Sequence, residues 1–194
     1  MSKIAIYGGS FNPIHFGHLG LSRWVLEHTD IDEVWLMVSP NNPLKDRADL
    51  APDNLRLAGA RKAIEEAIKK RPLPSNKHLI ASDFEFSLPR PSYTANTLRE
   101  LSKAYPENDF CLLIGEDNWL IFDRWREHDW ILAHYPILIY PRHNNPSGGA
   151  VLSAPATFQR SDFSAKRPNT VLLSSAPYFD ISSTAIRQQQ KNAK

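Results

Sequence analysis

Two histidines, His15 and His18, stand three positions apart in the segment Gly8-Gly9-Ser10-Phe11-Asn12-Pro13-Ile14-His15-Phe16-Gly17-His18-Leu19. Paired glycines at the end of a strand let the backbone turn sharply and approach a ligand closely. A helix beginning near Gly17 would present free N–H groups and the positive end of its dipole to an anion. Imidazoles three apart in or beside that first turn project from one side. There they can donate hydrogen bonds to phosphate oxygens and stabilise charge that develops when a phosphoryl group is attacked. Two alternatives stand beside this reading. A metal-binding pair is weak, because no Cys, Asp or Glu at suitable spacing accompanies the histidines. Two structural histidines fit either residue alone better than both together with the glycines.

A second cluster, Ile181-Ser182-Ser183-Thr184-Ala185-Ile186-Arg187, lies near the other end of the chain. It reads as a helix N-terminus with three hydroxyls and an arginine about one turn later. Hydroxyls and free N–H groups bind phosphate oxygens, and a guanidinium adds a charge-assisted fork. Taken alone, the same residues describe a capped helix with an incidental Arg187.

Three interior stretches add candidate groups. Ser39-Pro40-Asn41-Asn42-Pro43-Leu44-Lys45 ends in a cation, Lys45, which by default is a solvated surface lysine. Arg90-Pro91-Ser92-Tyr93-Thr94 offers a capping serine, an aromatic ring and amides at a helix start, which suits a flat anionic ring. Gly115-Glu116-Asp117-Asn118, followed by Trp125, places a carboxylate just past a strand, where it can accept ribose hydroxyls. Trp119, Trp125 and Trp130 could equally be helix packing, and at least one of the three is expected to be.

The elements that must position these groups alternate. Strands are expected at Lys3–Tyr7, Glu33–Val38, His78–Phe86, Phe110–Ile114, Ile137–Tyr140 and Val171–Leu173. Helices are expected at His18–Glu27, Asp53–Lys70 with Asp53 as cap, Thr94–Ala104 and Ser182–Gln190 with Ser182 as cap. Asn118–Ala133 reads as a Trp-rich, broken helical region. Strand and helix in repetition predict an α/β fold with a parallel sheet covered on both faces, binding ligands at the carboxyl ends of its strands. Arg142–Pro168 lacks periodicity and reads as a long surface loop within one domain spanning 1–194.

Composition narrows the class. The 194 residues carry a formal net charge of +2, with 42% hydrophobic and 23% charged residues, as in an ordinary globular enzyme. So small an excess argues against a nucleic-acid groove. The single cysteine, Cys111, sits in the apolar run Phe110–Ile114 and reads as a buried strand residue rather than a nucleophile. The opening apolar run Ile4–Tyr7 is shorter than a signal-peptide core. No apolar stretch approaches the roughly 20 residues of a membrane span. A cytoplasmic protein without membrane partners is expected.

The pattern Gly-x-Phe-x-Pro-x-His-x-Gly-His over residues 9–18 resembles the signature of the His-x-Gly-His nucleotidyltransferase superfamily. Ile181–Arg187 is similar to the Ile-Ser-Ser-Thr-x-Ile-Arg signature at the C-terminal end of the same superfamily. That resemblance implies a Rossmann-like, doubly wound three-layer α/β/α sandwich. It implies that His15 and His18 contact ATP phosphates, with His18 closest to the α-phosphate. Gly8, Gly9, Ser10 and Phe11 would line the pocket, and Ser182, Ser183, Thr184 and Arg187 would hold the β- and γ-phosphates. Within the superfamily the chain looks most like bacterial nicotinate-nucleotide adenylyltransferases, apart from Arg142–Pro168. Asp83-Phe84-Glu85 with Ser92-Tyr93-Thr94 resembles the family's pyridine-binding segment, and Gly115 and Asp117 with Trp125 its ribose- and ring-binding stretch. The family's Pro-His-Lys is Pro43-Leu44-Lys45 here, so the histidine is absent while Lys45 keeps the charge.

The resemblance implies in-line attack by the 5′-phosphate of nicotinate mononucleotide on the α-phosphorus of ATP, giving deamido-NAD and pyrophosphate. His18, His15, Lys45, Arg187 and Mg²⁺ would stabilise the charge, with no residue acting as a resident metal ligand. The chain could also form a homo-oligomer. Competing readings are an adenylyltransferase for nicotinamide mononucleotide or another phosphorylated acceptor, and a non-catalytic nucleotide binder of the same fold. A dinucleotide-binding dehydrogenase does not fit, because the first loop lacks Gly-x-Gly-x-x-Gly.

Overall fold

In the computed structural model, residues 1–40, 50–141, 169–179, 181 and 183–192 are described. Lys45, Ser182 and the 142–168 segment lie outside them, so the expectations for these residues have no structural counterpart.

Six parallel strands form one sheet in the order β3-β2-β1-β4-β5-β6. They are β1 (Lys3–Gly9), β2 (Glu33–Val38), β3 (His78–Ser82), β4 (Asp109–Gly115), β5 (Ile137–Tyr140) and β6 (Thr170–Leu172). The helices are α1 (Phe16–His28), α2 (Asp53–Lys70), α3 (Thr94–Ala104), the single turn α4 (Glu116–Trp119), α5 (His128–His134) and α6 (Ser183–Asn192).

The side-chain alternation of a strand builds both faces at once. Ala5 and Tyr7 of β1 join Val34, Leu36 and Val38 of β2 under α1 and α2, with Leu21, Val25, Leu57, Ala60 and Ile64. Ile4 and Ile6 face the other way, onto Ala95, Leu98 and Leu101 of α3 and Ile131 of α5. Because both faces are covered, the strands are nearly continuous apolar runs, as a parallel sheet requires. The result is the expected three-layer, doubly wound α/β sandwich. Cys111 is buried in it, and burial pushes its thiol well above the usual range.

The strand order reverses between β1 and β4, because β1 lies between β2 and β4. Loops leaving these two strands diverge to opposite faces, and the gap between them is the ligand crevice of such sheets.

Several boundaries differ from the sequence expectation. β3 stops at Ser82, and Phe84–Ser87 forms a 3-10 turn in place of a continuing strand. Asp53 does not cap α2; Pro52 occupies that position and the Asp53 carboxylate takes ion pairs from Arg56 and Arg90 instead. Likewise Tyr93, not Ser92, is the cap residue of α3. The Trp-rich region is broken, as expected, into α4, a 3-10 turn at Phe122–Arg124 and α5.

Candidate active site

A cavity of about 630 Å³ opens above the carboxyl ends of β1 and β4. The first loop forms its floor: Gly8, Gly9, Ser10 and Phe11 all line it. Phe11 is buried at 2% exposure with a left-handed backbone, φ 44°. Its ring folds back over Gly9, where an added Cβ would sit 3.0 Å from Phe11 Cζ. A side chain at Gly9 would press on this ring by a few tenths of an ångström, and Phe11 in the strained conformation is held by the packing around it.

His15 caps α1 and His18 is its third residue, so both rings face the same cavity. The rings stack with centroids 3.7 Å apart. Phe11 packs edge-on against His18 at 5.0 Å. The backbone N–H of His15 donates to His18 Nδ1 at 3.3 Å. An accepting Nδ1 carries no proton, so the neutral ring keeps its proton on Nε2, the nitrogen farther from the backbone. A donor is thus fixed in tautomer and in position beside a helix N-terminus, as anion stabilisation requires.

The C-terminal motif closes on this loop. Ser183 Oγ donates to the Pro13 carbonyl at 2.9 Å, and Arg187 Nη1 to the Asn12 carbonyl at 2.6 Å. Arg187 Nη2 also donates to Thr184 Oγ1 at 3.2 Å. Ser183 and Thr184 line the cavity together with the two histidines. Arg187 is not among the lining residues; its guanidinium grips the loop backbone just behind them. Gly17 makes the junction possible, since an added Cβ would lie 2.9 Å from Ile181 Cγ2. Tyr140 anchors the approach to α6: its hydroxyl donates to the Pro177 carbonyl at 2.8 Å and accepts from Phe179 N–H at 3.0 Å.

The other end of the cavity is lined by Ser92, Tyr93 and Thr94 at the start of α3, and by Asp117 and Trp125. Gly115 is buried at the end of β4 and does not line the cavity. Of the three tryptophans, Trp125 faces the site. Trp119 stacks on Phe122 at 5.3 Å, and Trp130 packs under Arg99, whose guanidinium carbon lies 3.8 Å from its ring centroid.

Three participants, Arg56, Arg124 and Arg126, were not singled out by sequence, and Glu85 appeared there only within the Asp83-Phe84-Glu85 motif. Arg56 is buried at 4% exposure, and donates to the carbonyls of Ala51, Ser10 and Ser39 at 2.9, 2.6 and 3.0 Å. It ties the ends of β1 and β2 together below the floor. A signal existed, because Arg56 stands four residues before Ala60 on the apolar face of α2. Glu85 lines the cavity at 6% exposure and accepts from Thr97 Oγ1 at 2.7 Å. Desolvation raises its carboxyl above the ordinary value, and the hydroxyls of Thr97, Ser39 and Ser92 oppose this without cancelling it. Among the described residues, Glu85 Oε2, Ser92 Oγ and Trp125 Nε1 are buried without a hydrogen bond of good geometry. All three belong to cavity-lining residues, whereas a further such atom, Asp30 Oδ1, lies away from the cavity; the three are groups that a polar ligand can satisfy. Arg124 and Arg126 complete the lining at the rim.

Among the described residues no group of three or more His, Cys, Asp or Glu side chains could hold a metal ion, and no helix is long and apolar enough to cross a membrane.

The sequence matches the cytidylyltransferase-like family model over residues 6–189. A "Probable nicotinate-nucleotide adenylyltransferase" of Bacteroides thetaiotaomicron is 46% identical over 186 residues, covering 96% of this chain and 80% of that protein. One of the same name from Bacteroides fragilis is 46% identical over 193 residues, covering 100% and 84%. Among solved structures, a Plasmodium falciparum nicotinic acid mononucleotide adenylyltransferase complexed with NaAD shares the fold, with a TM-score of 0.65 at 20% identity over 97% of this chain and 83% of that one. The two signatures meeting at one cavity, and identity of this extent over nearly the whole length, place the chain in the nicotinate-nucleotide adenylyltransferase family of cytidylyltransferase-like proteins.

Proposed function

We propose that this protein transfers the adenylyl group of ATP to nicotinate mononucleotide, forming deamido-NAD and pyrophosphate as a step of NAD biosynthesis. The single observation that carries the reading is the junction of the two motifs. His15, His18, Ser183 and Thr184 line one cavity at the switch point of the sheet.

In this reading the triphosphate of ATP lies across the α1 N-terminus. The phosphate of the acceptor nucleotide attacks the α-phosphorus, and the bond to the bridging oxygen of the pyrophosphate breaks. The attacking oxygen is already anionic, so no general base is needed, and the work falls to positioning and charge stabilisation. His18 Nε2–H donates to an α-phosphate oxygen as charge accumulates there, and His15 supports the same anion. Ser183 and Thr184 hold the departing pyrophosphate, and Arg187 keeps their helix locked to the loop that carries the histidines. Lys45 supplies a further positive charge. The acceptor's pyridine ring sits at the Tyr93–Thr94 end against Trp125, with Asp117 receiving ribose hydroxyls. Mg²⁺ carried by ATP would offset the charge of its phosphates.

A pyrophosphate-release assay tests the whole reading. ATP with nicotinate mononucleotide should give pyrophosphate and deamido-NAD in equal amounts with magnesium present, and neither once it is chelated. Nucleotide binding without product would reduce the protein to a binder.

A further inference from the structure

Arg124 and Arg126 bring the permanent cations among the residues that line the cavity, and Arg126 stands at the acceptor end. Its guanidinium carbon lies 4.9 Å from the centroid of the Tyr93 ring, which places the charge over the residue that caps α3. Its neighbour in sequence is Trp125, whose buried Nε1 lacks a hydrogen bond among the described residues.

The charge of Arg126 is not spent elsewhere. The acid paired with it, Glu127, is gripped by Arg99 through two hydrogen bonds, which hold its carboxyl below the usual carboxylate range. Arg126 reaches Glu127 only through Nε at 3.9 Å, and no hydrogen bond of its two terminal nitrogens is found among the described residues. Glu127 itself has a left-handed backbone, φ 58°. A non-glycine residue in that region stores strain, and strain of this kind collects where a chain must be aimed. Here the turn follows Arg126 directly and is pinned by the Arg99 pair.

We propose that Arg126 is a specificity-determining residue of this cavity, whose guanidinium makes it select an acceptor bearing a pyridine carboxylate over one bearing the neutral carboxamide. The inference rests on the acceptor end assigned under Proposed function. It deepens that reading by naming a side chain that senses the one charge by which the two acceptors differ. An amide-lined pocket alone separates a carboxylate from a carboxamide by hydrogen-bond polarity. A fork-shaped cation adds a preference that follows the charge itself.

The test compares wild type, Arg126→Gln and Arg126→Lys with nicotinate mononucleotide and nicotinamide mononucleotide at saturating ATP and magnesium. For Arg126→Gln, kcat/KM with the nicotinate acceptor should fall about tenfold to a hundredfold, mostly through KM. With the nicotinamide acceptor it should stay within about twofold. Arg126→Lys should recover part of the loss, because it keeps the charge and loses the fork. Added salt should raise the nicotinate KM of wild type more than that of Arg126→Gln. Equal losses with both acceptors would make Arg126 a structural residue, and unaltered kcat/KM with both would remove its role; either overturns the proposal while leaving the acceptor site intact. A wild type that turns over neither mononucleotide would instead overturn the acceptor reading, and the arginine's role with it.

Discussion

Arg187 donates a 2.6 Å hydrogen bond to the carbonyl of Asn12 across 175 positions of sequence. A guanidinium expected to hold phosphate is thus seen holding the backbone of the loop that carries His15 and His18. The clamp fixes the shape of the loop and brings a positive charge beside it. Ser183, bonded to Pro13 one residue further along, makes the same closure from the first turn of α6.

His18→Ala should lower turnover by about two to three powers of ten, the usual cost of removing one preorganised donor to a developing anion. KM for ATP should change far less. Steady-state pyrophosphate release reads both constants, and near-normal turnover would show that His18 packs against Phe11 without taking part in the chemistry.

Arg56→Met tests the brace under the floor. The variant leaves the carbonyls of Ser10, Ser39 and Ala51 without this donor and the Asp53 carboxylate with Arg90 alone. Breaking such a buried network costs roughly 3–5 kcal/mol. Urea unfolding should show a lower midpoint with an unchanged slope. A loss below about 1 kcal/mol would mean that water replaces the arginine readily.

Gly20→Ala sets two effects against each other. Replacing a mid-helix glycine by alanine gains about 1 kcal/mol in propensity. The new methyl, however, would collide with the Phe179 ring, which packs flush on α1, and overpacking of that kind costs about 1–3 kcal/mol. The expected net result is a lower melting temperature, with a raised KM for ATP as the 179–187 segment shifts. A higher melting temperature would show that Phe179 can swing aside freely.

Glu85 makes stability depend on pH in a stated direction. Burial raises its carboxyl above the ordinary 4.5, so the folded chain keeps a proton that the unfolded chain has released. That contribution is complete below about pH 4.5 and is lost as pH climbs through the folded value. Glu85→Gln cannot ionise, so its stability relative to wild type should improve as pH rises from that point. Melting profiles of the two proteins that run parallel across the range would rule this out.

Most of the architecture was legible because a parallel sheet writes itself as apolar runs. Glu33–Val38, Asp53–Lys70, Thr94–Ala104 and Ile137–Tyr140 have the same bounds in sequence and structure. The strand at His78 was read too long, because Phe84 and Phe86 continue an apolar alternation that the 3-10 turn redirects. At the site, residues carried by contiguous motifs could be found, since their spacing is local. Arg56 and Thr97 could not be tied to the cavity, because Arg56 meets Ser10 and Ser39, 46 and 17 residues away, and Thr97 meets Glu85, 12 residues away. Tertiary packing alone decides whether such a residue meets the cavity.

The absence of room at Gly17 and Gly20 has a further meaning. These two positions form a smooth track on α1 into which Ile181 and Phe179 seat, so docking of the final helix and shaping of the histidine loop are one event. Without that seat the imidazole loop would be held, among the described residues, only from the α2 side, by Arg56 on the Ser10 carbonyl and by the Ala51 N–H on Asn12 Oδ1. Loss of the seat should therefore impair nucleotide handling while the sheet itself stays intact.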